Sequence, residues 1–391
     1  MICICLGACH QFYASEPTDI TESLRPSITP APENDAIGPY VYGATINPLT
    51  GLEVDVPESL NKAPVIVKVS NSPALVRPQF GIGYADLVFE HYTEVGITRF
   101  SAIFLSQLPE QVGPVRSARL IDYELTPMYQ AILAFAGASI GIDKRIYGSE
   151  TIIHNLCSQR EDQEQCQLEA DIIAPAGMIP PSDFVDRAYK GVNIGRPYFW
   201  RDEALEVPHN FFVNTKALQE LAFSKGIRLT EPLKGLAFLE SAPKGAQGPG
   251  KYAQIRYLTT LVEWHYFEED GRYYRSTDGQ THHDAINEEQ VSAANVIILF
   301  AGHYLTDIIE SQWQDTIHWS TQITLWPEGK AILLRDGKRY DGRWVRPSRP
   351  DALSFLTNTG EIMYLKPGNS WVQVLPLEEQ MNPDYEWVLI E

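Results

Sequence analysis

The chain has 391 residues and a formal net charge of −19 at pH 7, with 31 Lys and Arg against 50 Asp and Glu. This acidic balance opposes phosphate backbones and anionic headgroups, so no nucleic acid partner is expected. The length exceeds the usual size of one domain and allows two hydrophobic cores. The sequence contains no apolar run near the roughly 18 residues that a membrane-spanning helix requires.

The N-terminus carries a candidate lipidation motif, Leu6-Gly7-Ala8-Cys9, which matches a bacterial lipobox. In a lipobox the signal peptide is removed before the cysteine, which becomes the acylated first residue. Only residues 1–8 precede Cys9, whereas a secretory leader needs a basic region and a longer apolar region. The leader is therefore interpreted as truncated, and a chance match in a short apolar stretch is the alternative.

Residues 15–39 are rich in Ser, Thr, Glu and Pro and contain almost no bulky apolar side chains. Such a composition cannot bury a core and favours an extended chain. Residues 1–40 are therefore predicted to be a leader and a disordered tether. If Cys9 is acylated, the lipid anchors the protein to the outer face of the bacterial cytoplasmic membrane and the rest of the chain is extracytoplasmic.

Two cysteines follow the leader, Cys157 and Cys166, within a polar stretch. An oxidising compartment allows a local disulfide between them. By the chain-entropy estimate, a loop of this size would gain roughly 2.5 to 3 kcal/mol. Two free thiols are the alternative, and no second ligand pair supports a zinc site.

Residues 41–210 alternate short apolar runs with helical patterns, which predicts an N-terminal α/β domain. The predicted helices cover Ala118–Tyr129 and Ser182–Lys190, the second of which follows two prolines and stops at a glycine. The predicted strands are rich in Val, Ile, Phe and Tyr. They are Pro64–Val69, Leu87–Tyr92, Thr98–Leu105 and Ala131–Ala136.

Residues 211–391 open with a predicted helix, Asn214–Lys225, and continue as apolar runs separated by turn signals. Asp278-Gly279 and Asp336-Gly337 are typical of tight hairpin turns, which need positive φ. These features predict a mainly antiparallel β domain, so the whole chain is assigned to a mixed α+β class. The predicted strands are Tyr252–Leu258, Thr260–Tyr266, Arg272–Arg275, Val296–Phe300, Ile323–Trp326, Ala331–Leu334, Gly342–Val345 and Trp371–Leu375.

Several short motifs recur in order along the chain from about Tyr40 onward, and the most specific is the arginine-rich Gly113-Pro114-Val115-Arg116-Ser117-Ala118-Arg119. The other motifs are Asn47–Gly51, Pro64–Val69, Glu94–Phe100, Pro208-His209-Asn210, Trp264-His265-Tyr266, Tyr274-Arg275, His283-Asp284 and Asn295-Val296-Ile297. With these motifs, most of the chain resembles the YerB-like lipoprotein family, although Val95 stands where that pattern has a glycine. The resemblance implies a tethered lipoprotein with paired domains of unknown function, and it supplies no catalytic residues.

The arginine-rich segment is also the strongest candidate for a binding site. Ser117 can cap the predicted helix that follows it. Arg116 and Arg119 near a helix N-terminus combine the helix dipole, free N–H groups and fork-shaped donors, which suits an anion. Arg99 and Arg77 are predicted to join them. The alternative is that these arginines only hold the domain together, through ion pairs with Glu90, Glu94, Asp122 or Glu124.

A second candidate is Gly137-Ala138-Ser139-Ile140-Gly141, which matches the nucleophile-elbow pattern and follows a predicted strand. Such a pattern arises by chance in roughly one chain of this length in ten. The sequence shows no oxyanion segment, and the β-rich second half does not suit an α/β-hydrolase. If Ser139 is a nucleophile, His209 is its base, and the orienting acid is Asp171, Asp183 or Asp186.

Metal, cofactor and sugar sites are weaker hypotheses. His282-His283-Asp284 offers three ligand types, but adjacent side chains on a strand point to opposite faces, so no metal site is predicted. Without a nucleotide loop, dinucleotide fingerprint or metalloprotease helix, no cofactor is predicted. Aromatic rings suit sugar faces, yet tryptophans in a β domain more often fill its core. The tryptophans concerned are Trp264, Trp313, Trp319, Trp326, Trp344 and Trp371.

Together these features predict a lipid-anchored envelope protein that binds an anionic, cell-wall-related ligand around Arg116, Ser117 and Arg119. The competing hypothesis is an envelope hydrolase of esters, phosphodiesters or glycans that uses Ser139 and His209. A third hypothesis, a scaffold for an envelope protein partner, follows if the arginines are structural. Whether the protein is an enzyme stays open.

Overall fold

The computed structural model describes residues 35–147, 186–348 and 350–391. Strands far outnumber helices in these residues, which confirms a mixed α+β class and makes the chain more β-rich than the sequence predicted. None of the described helices is long and apolar enough to cross a bilayer. The predicted lipidation site Cys9, the tether up to residue 34 and the pair Cys157 and Cys166 lie outside the described residues.

The described α-helices are α1 (Leu120–Met128), α2 (Ile140–Tyr147), α3 (Gly191–Ile194) and α4 (Thr215–Ser224). Short 3-10 turns cover Pro57–Asn61, Ala74–Val76, Ile82–Tyr84, Glu94–Gly96 and Glu378–Gln380. The strands up to residue 213 are β1 (Val65–Ser70), β2 (Leu87–Tyr92), β3 (Thr98–Phe104), β4 (Ile132–Phe135), β5 (Ala188–Lys190), β6 (Phe199–Arg201) and β7 (Phe211–Val213). The later strands are β8 (Gly248–Pro249), β9 (Tyr252–Arg256), β10 (Leu261–Phe267), β11 (Arg272–Thr277), β12 (Gln280–Thr281), β13 (Ser292–Ala293), β14 (Asn295–Trp313), β15 (Thr316–Thr324), β16 (Glu328–Arg335), β17 (Lys338–Val345), β18 (Ser354–Thr357), β19 (Ser370–Pro376) and β20 (Trp387–Ile390).

One sheet of twelve strands runs through the described part of the chain. Its order is β18-β17-β16-β14-β19-β2-β3-β1-β4-β5, with β15 paired to β14 and β8 paired to β17. The pairs β14/β19, β19/β2, β1/β4 and β4/β5 are parallel, and the other pairs are antiparallel. This sheet includes strands that precede residue 210 and strands that follow it. The division into domains at 41–210 and 211–391 therefore stays a prediction from the sequence.

Both faces of the main sheet are covered. A second sheet, in the order β12-β11-β10-β9-β20 with β13 paired to β11, packs on one face together with α4. Trp264 of this second sheet meets Trp371 of β19 edge-on, with ring centroids 5.4 Å apart. Helix α1 and the segment 233–238 pack on the opposite face. The layers bury the central strands on both sides, which explains why most of their residues are apolar.

The side chains of the central strands alternate between these two faces. In β1, Val65 and Val67 face the second sheet, whereas Ile66 and Lys68 face α1. Ser101 of β3 lies opposite Lys68 in the register and shares its face. Polar groups from neighbouring strands therefore meet beneath the start of α1.

Two local predictions are wrong. The predicted helix Ser182–Lys190 fails over its described part, because Ala188–Lys190 forms β5 and pairs in parallel with β4. Tertiary pairing at the sheet edge outweighs the local helical pattern. Ser117 does not cap α1 either. Arg119 occupies the N-cap position, and its backbone N–H donates to the Asp122 carboxylate at 2.7 Å.

Candidate functional site

The arginine-rich segment lies at the carboxyl edge of the parallel strands β1 and β4. The Arg116 N–H donates to the Lys68 carbonyl at 2.8 Å, and the Ala136 N–H donates to the Arg116 carbonyl at 2.9 Å. Helix α1 starts directly after this segment, and α2 starts directly after β4 at the same edge. In sheets with parallel strands, ligands bind in crevices outside the carboxyl ends of the strands.

A buried ion pair ties the start of α1 to the sheet. Lys68 Nζ lies 2.9 Å from Asp122 Oδ1, and both side chains are fully buried. Ser101 Oγ donates to the same carboxylate oxygen at 2.7 Å, and Lys68 Nζ donates to His91 Nε2 at 2.6 Å. Burial lowers the pKa of Lys68 to about 8, against the opposing effect of Asp122. Because no solvent reaches this cluster, it positions the arginine-rich segment and does not itself offer a binding surface.

Arg119 and Arg99 are paired with Glu94. Arg119 donates through Nε to Glu94 Oε2 at 2.7 Å and through Nη2 to Glu94 Oε1. Arg99 Nη2 lies 3.4 Å from Glu94 Oε1, and its Nη1 donates to the Ser117 carbonyl at 3.1 Å. Burial would raise the pKa of Glu94, but the hydrogen bonds and charge of Arg119 lower it to about 2. The structure thus brings the predicted site residues Arg99, Ser117 and Arg119 together. Glu94 supplies both arginines with a counter-charge.

Arg116 differs because its described partners are all uncharged. Its Nη2 donates to His209 Nδ1 at 2.8 Å, its Nε donates to Ser70 Oγ at 3.3 Å, and its Nη1 donates to the Pro208 carbonyl at 3.5 Å. Burial and the charges of neighbouring arginines lower the pKa of Arg116, but a guanidinium keeps its proton at neutral pH. Among the described residues no carboxylate forms an ion pair with it. Among the described residues, the edge therefore carries a half-buried cation without an ion-pair partner.

A long hairpin reaches over this edge. Strand β14 pairs with β19 over residues 295–301, and beyond them it pairs with β15. We call residues 302–324 the arm. Two register shifts flank Ile309, and the arm packs on both α1 and α2. Its Glu310 side chain is 1% exposed, with Oε2 3.5 Å from Arg119 Nη1.

Beside Glu94, a cavity of ≈ 520 Å³ opens between the arm and residues 376–386. Trp319 and His303 are among its lining residues. Burial lowers the pKa of His303 to about 4, so this ring is neutral. Val95 lies at the same cavity with a φ of 63°, which is rare for a β-branched side chain. The residue that departs from the family pattern thus adopts the backbone conformation that a glycine would favour.

The hydrolase candidates are not joined by hydrogen bonds. Ser139 lies between β4 and α2, so the strand, turn and helix that the motif requires are present. Its Oγ is buried and makes no hydrogen bond to the described residues, whereas His209 Nδ1 accepts from Arg116. Of the three predicted acids, Asp186 is exposed, while Asp171 and Asp183 lie outside the described residues.

The tryptophans divide between core and surface. Trp264, Trp344 and Trp371 are at most 1% exposed and fill the core, whereas Trp326 is 42% exposed. Trp319 lines the cavity beside Glu94. The side chain of Trp313 lies outside the described residues. Three of the six tryptophans therefore fill the core, as the sequence analysis favoured, and they cannot belong to an exposed sugar-stacking platform.

The neighbouring motif His282-His283-Asp284 diverges in space, as the strand argument predicts. His282 is buried, accepts from Arg275 at 2.7 Å through Nδ1 and donates to Gln79 at 2.6 Å through Nε2. The Asp284 carboxylate instead accepts the backbone N–H groups of residues 81 and 83. These contacts join the second sheet to the loop after β1 and have no convergent ligand geometry.

Sequence reasoning missed three parts of the site: Lys68, Glu310 and the contact between Arg116 and His209. Lys68 carried a signal, since it is a lone lysine within the apolar run Val65–Val69. Glu310 carried no such sequence signal, because it lies beside Arg119 only through the packing of the arm on α1 and α2. The His209 contact joins residues 93 positions apart, which no local pattern shows.

Two family models match the chain. The model "Protein of unknown function (DUF3048) N-terminal domain" matches residues 49–228, and "Protein of unknown function (DUF3048) C-terminal domain" matches residues 253–372. The chain belongs to the DUF3048 family. The first match contains the arginine-rich segment and the second contains the arm, so the contact between Arg119 and Glu310 joins the two DUF3048 halves.

The DUF3048 chain is also similar to a named relative and to a solved structure. It is 29% identical over 333 residues to "Putative lipoprotein YerB" of Bacillus subtilis (strain 168), covering 84% of this chain and 86% of the relative. It matches the crystal structure of the YerB protein from Bacillus subtilis with a TM-score of 0.65 at 27% identity, covering 88% of this chain and 99% of the other. These matches confirm the resemblance to the YerB-like family. The name of the relative supports lipid anchoring, and none of these descriptions names a ligand or a reaction.

Proposed function

We propose that this DUF3048 protein is a lipid-anchored, extracytoplasmic protein that binds an anionic ligand at the carboxyl edge of its main sheet. Arg116 carries the proposal, because it is a half-buried cation whose described partners are uncharged. Burying a charge without a counter-charge is unfavourable, and an anionic group on a ligand would remove that cost.

The surrounding groups suit a phosphate or a carboxylate. Arg116 presents a planar fork that can donate two parallel hydrogen bonds to either group. Its neighbour His209 accepts from it through Nδ1, so the ring proton is on Nε2 and supplies another donor. The arginine-rich segment stands out against a chain with a net charge of −19. Anionic fragments of the cell wall, such as phosphorylated sugars, are the ligand class that fits this chemistry and the proposed location.

Replacement of Arg116 tests the binding site. A bound ligand at 100 times its Kd should add about 2.7 kcal/mol to the free energy of unfolding, which thermal unfolding detects readily. We expect a shift with sugar phosphates in the wild type and no shift in the Arg116→Ala variant. Arg343→Ala is the matched control. Arg343 is a partly exposed arginine of β17, which lies near the opposite edge of the main sheet from β1 and β4, and it pairs with Glu328. An unchanged shift in Arg116→Ala would contradict the proposal.

Replacement of Cys9 tests the anchor independently. Metabolic labelling with an alkyne fatty acid should mark the product of the full-length wild-type gene in bacterial cells and leave the Cys9→Ala variant unmarked, since the lipobox predicts acylation at Cys9. The variant should also leave the membrane fraction. Continued labelling of Cys9→Ala would place the anchor at another residue.

A further inference from the structure

Glu310 of the arm is a buried carboxylate with incomplete hydrogen bonding. Its side chain is 1% exposed, and its Oε2 lies 3.5 Å from Arg119 Nη1. Its other oxygen, Oε1, has no hydrogen-bond partner among the described residues. An ionised oxygen in this state costs free energy, because it has lost water and gained no donor in exchange.

The groups that face Glu310 come from four elements. They are Arg119 at the start of α1, Glu94 in the turn after β2, Ser139 before α2 and Ser320 of β15. Both serine hydroxyls are buried and make no hydrogen bond of normal geometry. The N–H groups of the first turn of α2 have no partner within the helix, and the Ser139 side chain does not cap them. Glu310 thus lies where a guanidinium, a hydroxyl and a helix N-terminus converge, and this combination receives anions.

The position of the arm also sets the charge of the site. With the arm in place, Arg99 and Arg119 are both affected by the two carboxylates Glu94 and Glu310, whereas Arg116 is affected by the charge of Glu94. Removing the arm would take the negative charge of Glu310 away from Arg99 and Arg119. The site therefore gains attraction for an anion when the arm moves away.

We propose that the arm is a gate, and that Glu310 occupies an anion subsite formed by Arg119, Ser139 and the N-terminus of α2. This proposal rests on the proposed function at Arg116 and extends it. When the arm is displaced, the subsite receives a second anionic group of the ligand, a phosphate or a carboxylate. The ligand class is thus a molecule with two anionic groups, and Glu310 competes with one of them.

The pH dependence of the gate follows from the environment of Glu310. Burial raises the pKa of Glu310, Arg119 opposes this effect and Glu94 adds to it. A raised pKa in the closed arrangement means that the closed arm takes up a proton more readily than the open arm. Falling pH therefore stabilises the closed arm, and rising pH, which ionises Glu310, favours its displacement. The register shifts on both sides of Ile309 interrupt the regular pairing of the arm next to Glu310.

Hydrogen exchange without any added anion tests the gate by itself. The Glu310→Gln variant keeps the shape of the side chain and removes its charge, so its closed arm should be more stable. After correction for the chemical exchange rate, peptides covering the first turn of α2 should exchange more slowly in Glu310→Gln than in the wild type at about pH 8, and this difference should shrink toward about pH 5. Glu328→Gln is the matched control on an exposed carboxylate and should behave as the wild type. Equal exchange in the wild type and Glu310→Gln at both pH values would overturn the gate.

Titration with inorganic pyrophosphate, which carries two anionic groups, tests the competition. Glu310→Ala removes the competing side chain from the subsite, so the subsite is empty even with the arm in place. If Glu310 leaves the subsite free in about a tenth of the wild-type molecules, Glu310→Ala should bind pyrophosphate about tenfold more tightly than the wild type. An unchanged affinity in Glu310→Ala, together with binding that Arg116→Ala abolishes, would overturn the competition and leave the proposed function standing. Binding to neither the wild type nor Glu310→Ala would count against the site at Arg116, whereas the exchange experiment would still decide the gate.

Discussion

Val95 has a rare backbone conformation beside the candidate site. Its φ is 63°, its side chain is 61% exposed, and it stands between Glu94 and Gly96 at the cavity. A left-handed conformation costs an L-residue roughly 1 to 2 kcal/mol, and the branched side chain adds crowding. Because the exposed side chain gains little from packing, this strain is not offset locally. Strained residues of this kind cluster at ligand sites, where the surrounding structure holds them in place.

Val95→Gly should raise the free energy of unfolding by up to about 1 kcal/mol, because the relief of strain exceeds the roughly 0.5 to 1 kcal/mol of extra chain entropy that glycine loses. Thermal or urea unfolding measures the change. Val56 is the matched control, with 58% exposure and an extended φ of −124°. Val56→Gly relieves no strain, so it should lower stability by about 0.5 to 1 kcal/mol. Equal losses in both variants would show that Val95 is not strained.

Among the elements, central strands were predicted well and the arm was not. β2 covers Leu87–Tyr92, as predicted, because an apolar run that is buried on both faces is visible in any local window. β14 extends from Asn295 to Trp313, although only Val296–Phe300 was predicted. Beyond residue 301 the strand mixes polar residues with Leu305, Ile308 and Ile309, so no continuous apolar run marks it. Backbone hydrogen bonds to β15 hold it, and these carry no side-chain signal.

The turns between strands were predictable for a different reason. Asp278 and Asp336 both have positive φ, and each is followed by a glycine with positive φ. This conformation depends on the two turn residues themselves, so it can be derived without knowing the fold. The short strands β5, β12 and β13 have no such local requirement. They form because a partner strand is already in place.

At the scale of the whole molecule, the two DUF3048 halves share one sheet. β19 of the C-terminal half is hydrogen-bonded on one side to β14 and on the other side to β2 of the N-terminal half. Arg275 of the second sheet also forms a fully buried ion pair with Glu90 of β2, at 2.8 Å. Separating the halves would expose a sheet edge and leave both of these charges unpaired in the interior.

The described body should therefore unfold in one cooperative transition. Calorimetry of the protein from residue 35 onward should show a single peak whose calorimetric and van't Hoff enthalpies agree. A fragment that ends at residue 228, where the first family match ends, should show no cooperative transition. Two separate transitions in the intact protein, or a cooperative transition in the fragment, would show that the halves fold independently.

The sequence alone determined the family, the acidic surface, the central strands and the arginine-rich segment, because each depends on residues close together in the chain. It also raised both possibilities for the arginines, namely a ligand site or internal ion pairs. Only the tertiary structure shows which arginines form the ion pairs. Glu94 and Glu310 reach Arg119, whereas no carboxylate of the described residues forms an ion pair with Arg116. That division depends on a turn and a hairpin brought together from distant parts of the chain, and such long-range contacts leave no periodic or local signal.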